Sequence, residues 1–215
     1  MEREQIVGRF HLAMLGLLAA ITATAFYKIP EATGLPVHWG FDGRPDRIWP
    51  RNEALAMFPV VAIFLVALFA AIGQFAPVER VEPGRHIAAA MLTGLLGLLC
   101  ALQFALILIG VGSDVDLIRI IAFAVALFWM GTGVALTQAQ PIDFTGLRLP
   151  WPIKNPGNWT ASHQLTGALM VLGGLGLAAV AWLQPDPANM LISIAAALLV
   201  PVLVGGLFSL VRSRF

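Results

Sequence analysis

Charged side chains are scarce in this chain. Thirteen Lys and Arg and twelve Asp and Glu make up 12% of 215 residues, against about 25% in ordinary soluble domains. Hydrophobic residues reach 59% and the mean hydropathy is +0.84. A water-soluble core of this size cannot hide that much apolar surface, so the chain belongs in a bilayer. The net charge of +1 provides no basic footprint, which excludes a nucleic-acid partner. Cysteine is nearly absent too. Cys100 alone excludes an intrachain disulfide framework and a thiolate metal set, and leaves the redox compartment open.

What is there is hydrocarbon in long runs. A bilayer core about 30 Å thick needs roughly 20 apolar residues per helix. Six segments qualify: Phe10–Tyr27, Ala54–Val78, Ile87–Val111, Leu117–Leu136, Leu165–Leu183 and Met190–Val211. The expected fold is an all-α membrane protein of six transmembrane helices, one integral membrane domain over residues 1–215. Ala23-Thr24-Ala25 looks like a signal-peptidase site, but the first apolar run is longer than a signal core and its head is not distinctly basic. The first helix is therefore expected to stay.

Basic residues set the orientation. Arg3, Arg9, Arg80, Arg85, Arg148, Lys154, Arg212 and Arg214 fall on one side. Lys28, Arg44, Arg47 and Arg51 fall on the other, all in one loop. Both termini and the Phe144–Gln164 loop are read as cytoplasmic, in a bacterial inner membrane.

Along the chain, Gly16, Ala20 and Thr24 form a small-residue stripe of the kind that lets helices approach in lipid. His11 reads as an interfacial histidine bonded to a neighbour. In the Lys28–Glu53 loop, Asp42-Gly43 and Arg44-Pro45-Asp46 are turn chemistry, and Trp39 and Trp49 are aromatics that favour the membrane interface. His38, Asp42 and Asp46 are metal-type residues, but their spacing matches no known site and no fourth ligand accompanies them. A hydrogen-bonded, salt-bridged cap over the helices is the expected role. Pro59 sits one turn into the second run, a kink that neighbours must compensate. Ala90, Gly94, Gly97 and Ala101 form a second packing stripe, and Gln103 should find a partner on another helix. Arg119 is placed to pair with Asp114 or Asp116.

The richest stretch is Phe144–Gln164, FTGLRLPWPIKNPGNWTASHQ. Arg148 offers a planar fork for carboxylate or phosphate, and Lys154 a point charge. Trp151 and Trp159 should hold the loop at headgroup level. Pro156-Gly157 is expected to make a turn, with Asn158 or Ser162 capping the fifth helix. The order of elements repeats: helix, long Trp-rich loop, helix, short turn, helix. Gly34-Leu35-Pro36-Val37-His38-Trp39 aligns loosely with Gly146-Leu147-Arg148-Leu149-Pro150-Trp151. A 3+3 inverted repeat, residues 10–111 against 117–211, is one reading of this layout. Inverted repeats are common in transporters, yet no helix centre carries an ionisable residue of the kind that ion coupling needs.

The pattern G-x-R-x-P-W-x-x-K, then N-W-x-x-x-H, resembles the signature loop of the SdpI family of bacterial membrane proteins. It is carried by Gly146, Arg148, Pro150, Trp151, Lys154, Trp159 and His163. Leu149, Pro152 and Gln164 depart from the family's usual threonines and arginine. Leu35-Pro36-Val37-His38-Trp39 and Gly43-Arg44-Pro45-Asp46 resemble the family's extracytoplasmic N-terminal segment, DUF1648-like, with Gly40 in place of the usual asparagine. The resemblance implies toxin immunity or sensing. An external hydrophobic peptide, a secreted toxin, would meet His38, Trp39, Asp42 and Asp46. Arg148, Pro150, Trp151, Lys154, Trp159 and His163 would serve a cytoplasmic partner, a transcriptional repressor in the founding member.

No cofactor and no metal site are expected, and the lipid bilayer is itself a partner. A homo-oligomer is left open. A small-molecule or lipid transporter is the alternative function. An enzyme is not expected: Ser162 and His163 are adjacent, but Asp143 is the only candidate third member and no oxyanion motif accompanies them.

Overall fold

The computed structural model describes residues 5–40, 42–141, 146–147, 149, 151, 155–183 and 186–213, except the side chain of Arg80. Its elements in order are α1 (Arg9–Lys28), β1 (Gly34–Trp39), β2 (Pro45–Pro50), α2 (Arg51–Phe75), a one-turn α3 (Val78–Val81), α4 (Arg85–Gly110), α5 (Leu117–Thr137), α6 (Pro156–Leu183) and α7 (Pro187–Arg212). Six of these helices are long and apolar enough to cross a membrane. Phe64, Leu127, Leu172 and Leu203 are among the large apolar side chains left on the outside of the bundle.

The helix starts are written in the local sequence. Asp116 accepts the Arg119 N–H at 3.1 Å, and Asp186 accepts the Asn189 N–H at 3.2 Å, each capping the helix it precedes. Pro187 occupies the first position of α7, where its missing N–H costs nothing.

α6 differs from the expected fifth span. It begins at Pro156 rather than Leu165, because Asn155 is the cap. The Asn155 Oδ1 accepts from Gly157 N at 2.8 Å and from Asn158 N at 3.4 Å. Pro156-Gly157 is thus the helix's opening rather than a turn before it. Asn158 and Ser162 lie inside the helix and do not cap it.

Two groups of three helices make up the bundle. In the first, α1, α2 and α4 enclose Leu18, Ala62, Leu92, Leu96 and Cys100. In the second, α5, α6 and α7 enclose Ala122, Ala126, Leu177, Ala181 and Met190. α4 against α5 joins them.

Glycine sets the spacing inside the second group. A Cβ on Gly133 would lie 2.7 Å from the Gly167 carbonyl, and one on Gly174 would lie 2.8 Å from the Ala126 carbonyl. Backbone therefore rests on backbone between α5 and α6, the usual device where lipid offers no hydrophobic drive to helix pairing.

The two small-residue stripes expected to pack behave differently. Gly16, Ala20 and Thr24 lie on the exposed side of α1, which buries His11, Leu18 and Ala25 instead. On α4, Gly94 receives the Phe128 ring. Ala90, Gly97 and Ala101 line a groove of about 560 Å³ between α4 and α5.

Pro59 does find compensation. Its missing N–H would have gone to the Leu55 carbonyl, and Gln103 Nε2 of α4 donates there at 3.0 Å. The same amide donates to Thr22 Oγ1 at 3.1 Å, so one buried side chain ties α1, α2 and α4 together.

Candidate functional site

The Lys28–Glu53 loop is an antiparallel hairpin, a small sheet added to the expected helices. Leu35 pairs with Trp49, Pro36 with Ile48 and His38 with Arg47, with an irregular register around Val37. Gly43 closes the turn at φ +75°, and its N–H donates to the Gly40 carbonyl at 3.0 Å. The Asp42 Oδ1 accepts the Arg44 N–H at 3.1 Å.

One face of the hairpin rests on the bundle. Leu35 is buried with Ala25, Ile29, Ala54, Leu55 and Leu106 of the first helix group. Trp39 packs against the core of the second group, and Gly43 comes so close to Pro187 that a Cβ there would meet the proline ring. The hairpin therefore straddles both groups. Its other face carries the His38 Nδ1–Asp46 Oδ1 pair at 2.6 Å, with 65% and 52% of the two side chains exposed. Among the described residues no three His, Cys, Asp or Glu side chains form a metal group.

The second cluster lies at the other end of α6 and α7. Asn158, Ser162 and Thr166 recur every fourth residue and face α7, all buried. Asn158 Nδ2 donates to the Ser209 carbonyl at 3.0 Å. Ser162 Oγ donates to Asn158 Oδ1 at 3.1 Å, and Thr166 Oγ1 to the Ser162 carbonyl at 2.8 Å. Gly205 makes room for Thr166: a Cβ there would overlap the Thr166 hydroxyl.

His163 is fully buried and stacks on Trp159 with ring centroids 4.0 Å apart and planes at 24°. The Leu147 N–H donates to Nε2 at 2.8 Å, which makes Nε2 an acceptor and places the ring proton on Nδ1, 2.8 Å from the Trp159 carbonyl. A neutral ring in one tautomer thus pins the loop to the helix. Gly146 stands at φ +106°, and a Cβ there would fall on His163 Nε2. Trp151 Nε1 reaches Ser209 Oγ at 3.5 Å. The Trp159 indole N–H is buried without a partner.

Of the residues expected from sequence, the hairpin gathers His38, Trp39, Asp42 and Asp46, and the loop end gathers Trp151, Trp159 and His163. Arg148, Pro150 and Lys154 lie outside the described residues, as does Asp143. Ser162 and His163 point to different partners and do not bond to one another. Sequence reading missed Thr166, Gly205 and Ser209. The signal was available as the four-residue spacing Asn158-x-x-x-Ser162-x-x-x-Thr166 in the first turns of α6.

The hairpin touches α7 at Pro187 and the loop touches it at Ser209. Twenty-two residues at 1.5 Å each separate those contacts by about 33 Å, one bilayer core. Such an arrangement defines a class: a six-span membrane protein with a structured element at each end of its bundle.

Two family models each match part of this multi-pass membrane protein. Residues 139–212 match the SdpI/YfhL protein family, and residues 13–63 match a domain of unknown function, DUF1648. The first match contains the Gly146–His163 motif and the second contains the hairpin. The chain is also 24% identical over 166 residues to the "Immunity protein SdpI" of Bacillus subtilis (strain 168), covering 77% of each chain. No solved structure matches.

Proposed function

We propose that this protein confers immunity to, or senses, an external hydrophobic peptide and passes that state to a cytoplasmic partner. The observation that carries the reading is the placement of the two motif-bearing elements about 33 Å apart along α7. Similarity to an immunity protein supports immunity as the role. The exposed His38–Asp46 pair with Trp49 and Ile48 offers the outer contact surface. Trp151, Trp159 and His163, with Arg148, Pro150 and Lys154 beside them in sequence, would serve the inner partner, a transcriptional repressor in this reading. Both termini are cytoplasmic in a bacterial inner membrane. The halves 10–111 and 117–211 form an inverted repeat.

The mode of action is binding. Ser162 spends its hydroxyl on Asn158, and both ring nitrogens of His163 are engaged. The test is expression in a toxin-sensitive strain. Survival with toxin retained at the membrane is the expected result. Unchanged killing, or flux of a solute or lipid in proteoliposomes carrying the protein, would move the reading to a transporter.

A further inference from the structure

We infer that the first two turns of α2, Arg51–Phe58, form a lever hinged at Pro59 and latched by Gln103, through which the hairpin acts on the bundle. This rests on the sensing reading only for its purpose; the latch is a property of the chain alone.

The lever is continuous with the hairpin. β2 ends at Pro50 and α2 begins at Arg51, with no linker between them. The hairpin also presses on the lever from the side, since Leu35 shares one buried cluster with Ala54 and Leu55. Any displacement of the strands is therefore a displacement of Arg51–Phe58. Beyond the lever, Pro59 breaks the helix's own hydrogen-bond ladder. It has no N–H to return to the Leu55 carbonyl, so the joint between lever and the rest of α2 is the weak point of the helix.

Two side chains hold the lever in place, Gln103 reaching in from α4 and Arg51 reaching out from the lever itself. Gln103 Nε2 supplies the missing bond to Leu55 at 3.0 Å. Arg51 Nη1 donates to the Ile29 carbonyl at 2.6 Å and to the Phe26 carbonyl at 3.4 Å, clasping the end of α1. The Gln103 latch is incomplete. Its Oε1 is buried without a partner, so the closed position leaves one acceptor unmet and opposes release less than a satisfied network would. Release has somewhere to be felt. Gln103 sits on α4, the helix that packs against α5 and joins the two groups, and the hairpin tip already touches α7 at Pro187.

The test uses the full chain in lipid nanodiscs with no peptide present and reads amide hydrogen exchange of residues 51–58 against residues 60–75. Gln103→Leu is expected to speed exchange of 51–58 by about tenfold, the effect of one lost hydrogen bond to a buried carbonyl, with 60–75 unchanged. Thr22 keeps a partner in that variant, because its hydroxyl donates to the Leu18 carbonyl. Pro59→Ala restores an N–H for Leu55. Adding it to Gln103→Leu should therefore bring exchange back near that of Pro59→Ala alone. Trp39→Ala, which loosens the hairpin from the second group, should also speed 51–58. Unchanged exchange in Gln103→Leu, a double variant as fast as Gln103→Leu, or no response to Trp39→Ala would each overturn the lever. None of these results depends on a peptide, so the lever can fail while immunity stands, and the reverse.

Discussion

Replacing Gly146 by alanine should detach the second loop from α6 without unfolding the bundle. Two costs add at this position. Gly146 stands at φ +106°, where an L-residue is strained by about 1–3 kcal/mol. The new Cβ would also land on His163 Nε2, the atom that accepts the Leu147 N–H at 2.8 Å. Relief requires the loop to lift. Lifting leaves a buried ring nitrogen without its donor, at about 1–3 kcal/mol. Together these give about 2–6 kcal/mol, local to the loop. Trp159 stacks on the same imidazole, so its fluorescence in detergent micelles is expected to shift. Proteolysis near residue 147 should quicken while the helical circular dichroism stays intact.

Gly176→Ala is the control, since a Cβ there meets nothing within 4 Å. In mid-helix that change should be neutral or stabilising by up to about 1 kcal/mol. If Gly146→Ala and Gly176→Ala behave alike, the His163 anchor does not exist as described.

Gly205→Ala should lower the melting temperature by several degrees, because its Cβ overlaps the Thr166 hydroxyl; Thr166→Ala in the same chain should recover most of the loss. Asn158→Leu should cost about 1–3 kcal/mol, measured by thermal denaturation in micelles, since it leaves Ser162 Oγ without its acceptor, while the Ser209 carbonyl loses one donor and keeps the Ser213 N–H. Ser209→Ala should cost less, because Asn158 bonds the Ser209 backbone and the Trp151 contact is a long 3.5 Å. His38→Ala should change stability by under about 1 kcal/mol, as more than half of each side chain in the His38–Asp46 pair is exposed. If this surface meets the peptide, the same variant should lose protection in the survival assay while folding normally.

Much of the fold was legible because the bilayer simplifies the pattern. Twenty apolar residues in a row have few alternatives, so the six spans stood out, although α7 opens at Pro187 behind its Asp186 cap and not at Met190. Glu-free runs such as Leu117–Leu136 read as spans on composition alone. Other boundaries were hidden by chemistry that serves two purposes. Pro156-Gly157 looks like a turn, yet proline also opens helices, and Asn155 decided between the two by capping. The stripe Gly16-Ala20-Thr24 had the spacing of a packing seam, but spacing fixes a face and not what that face meets.

Both loops announced themselves through aromatics, proline and charge. The polar seam behind the second one did not, because Thr166, Gly205 and Ser209 are ordinary residues until α6 and α7 bring them together. Gln103 lies between these cases. That it needed a partner was readable from its burial in a helix; that the partner would be the carbonyl freed by Pro59 required the third dimension.

The measurement that bears most directly on the account is sidedness. Ile48→Cys on the hairpin and Gly157→Cys at the start of α6 both place a thiol on an exposed residue, while Cys100 is buried. In intact cells a membrane-impermeant maleimide should label position 48 and spare position 157, which should react only after the membrane is opened. Labelling of both from the same side would contradict a bundle with one structured element at each end.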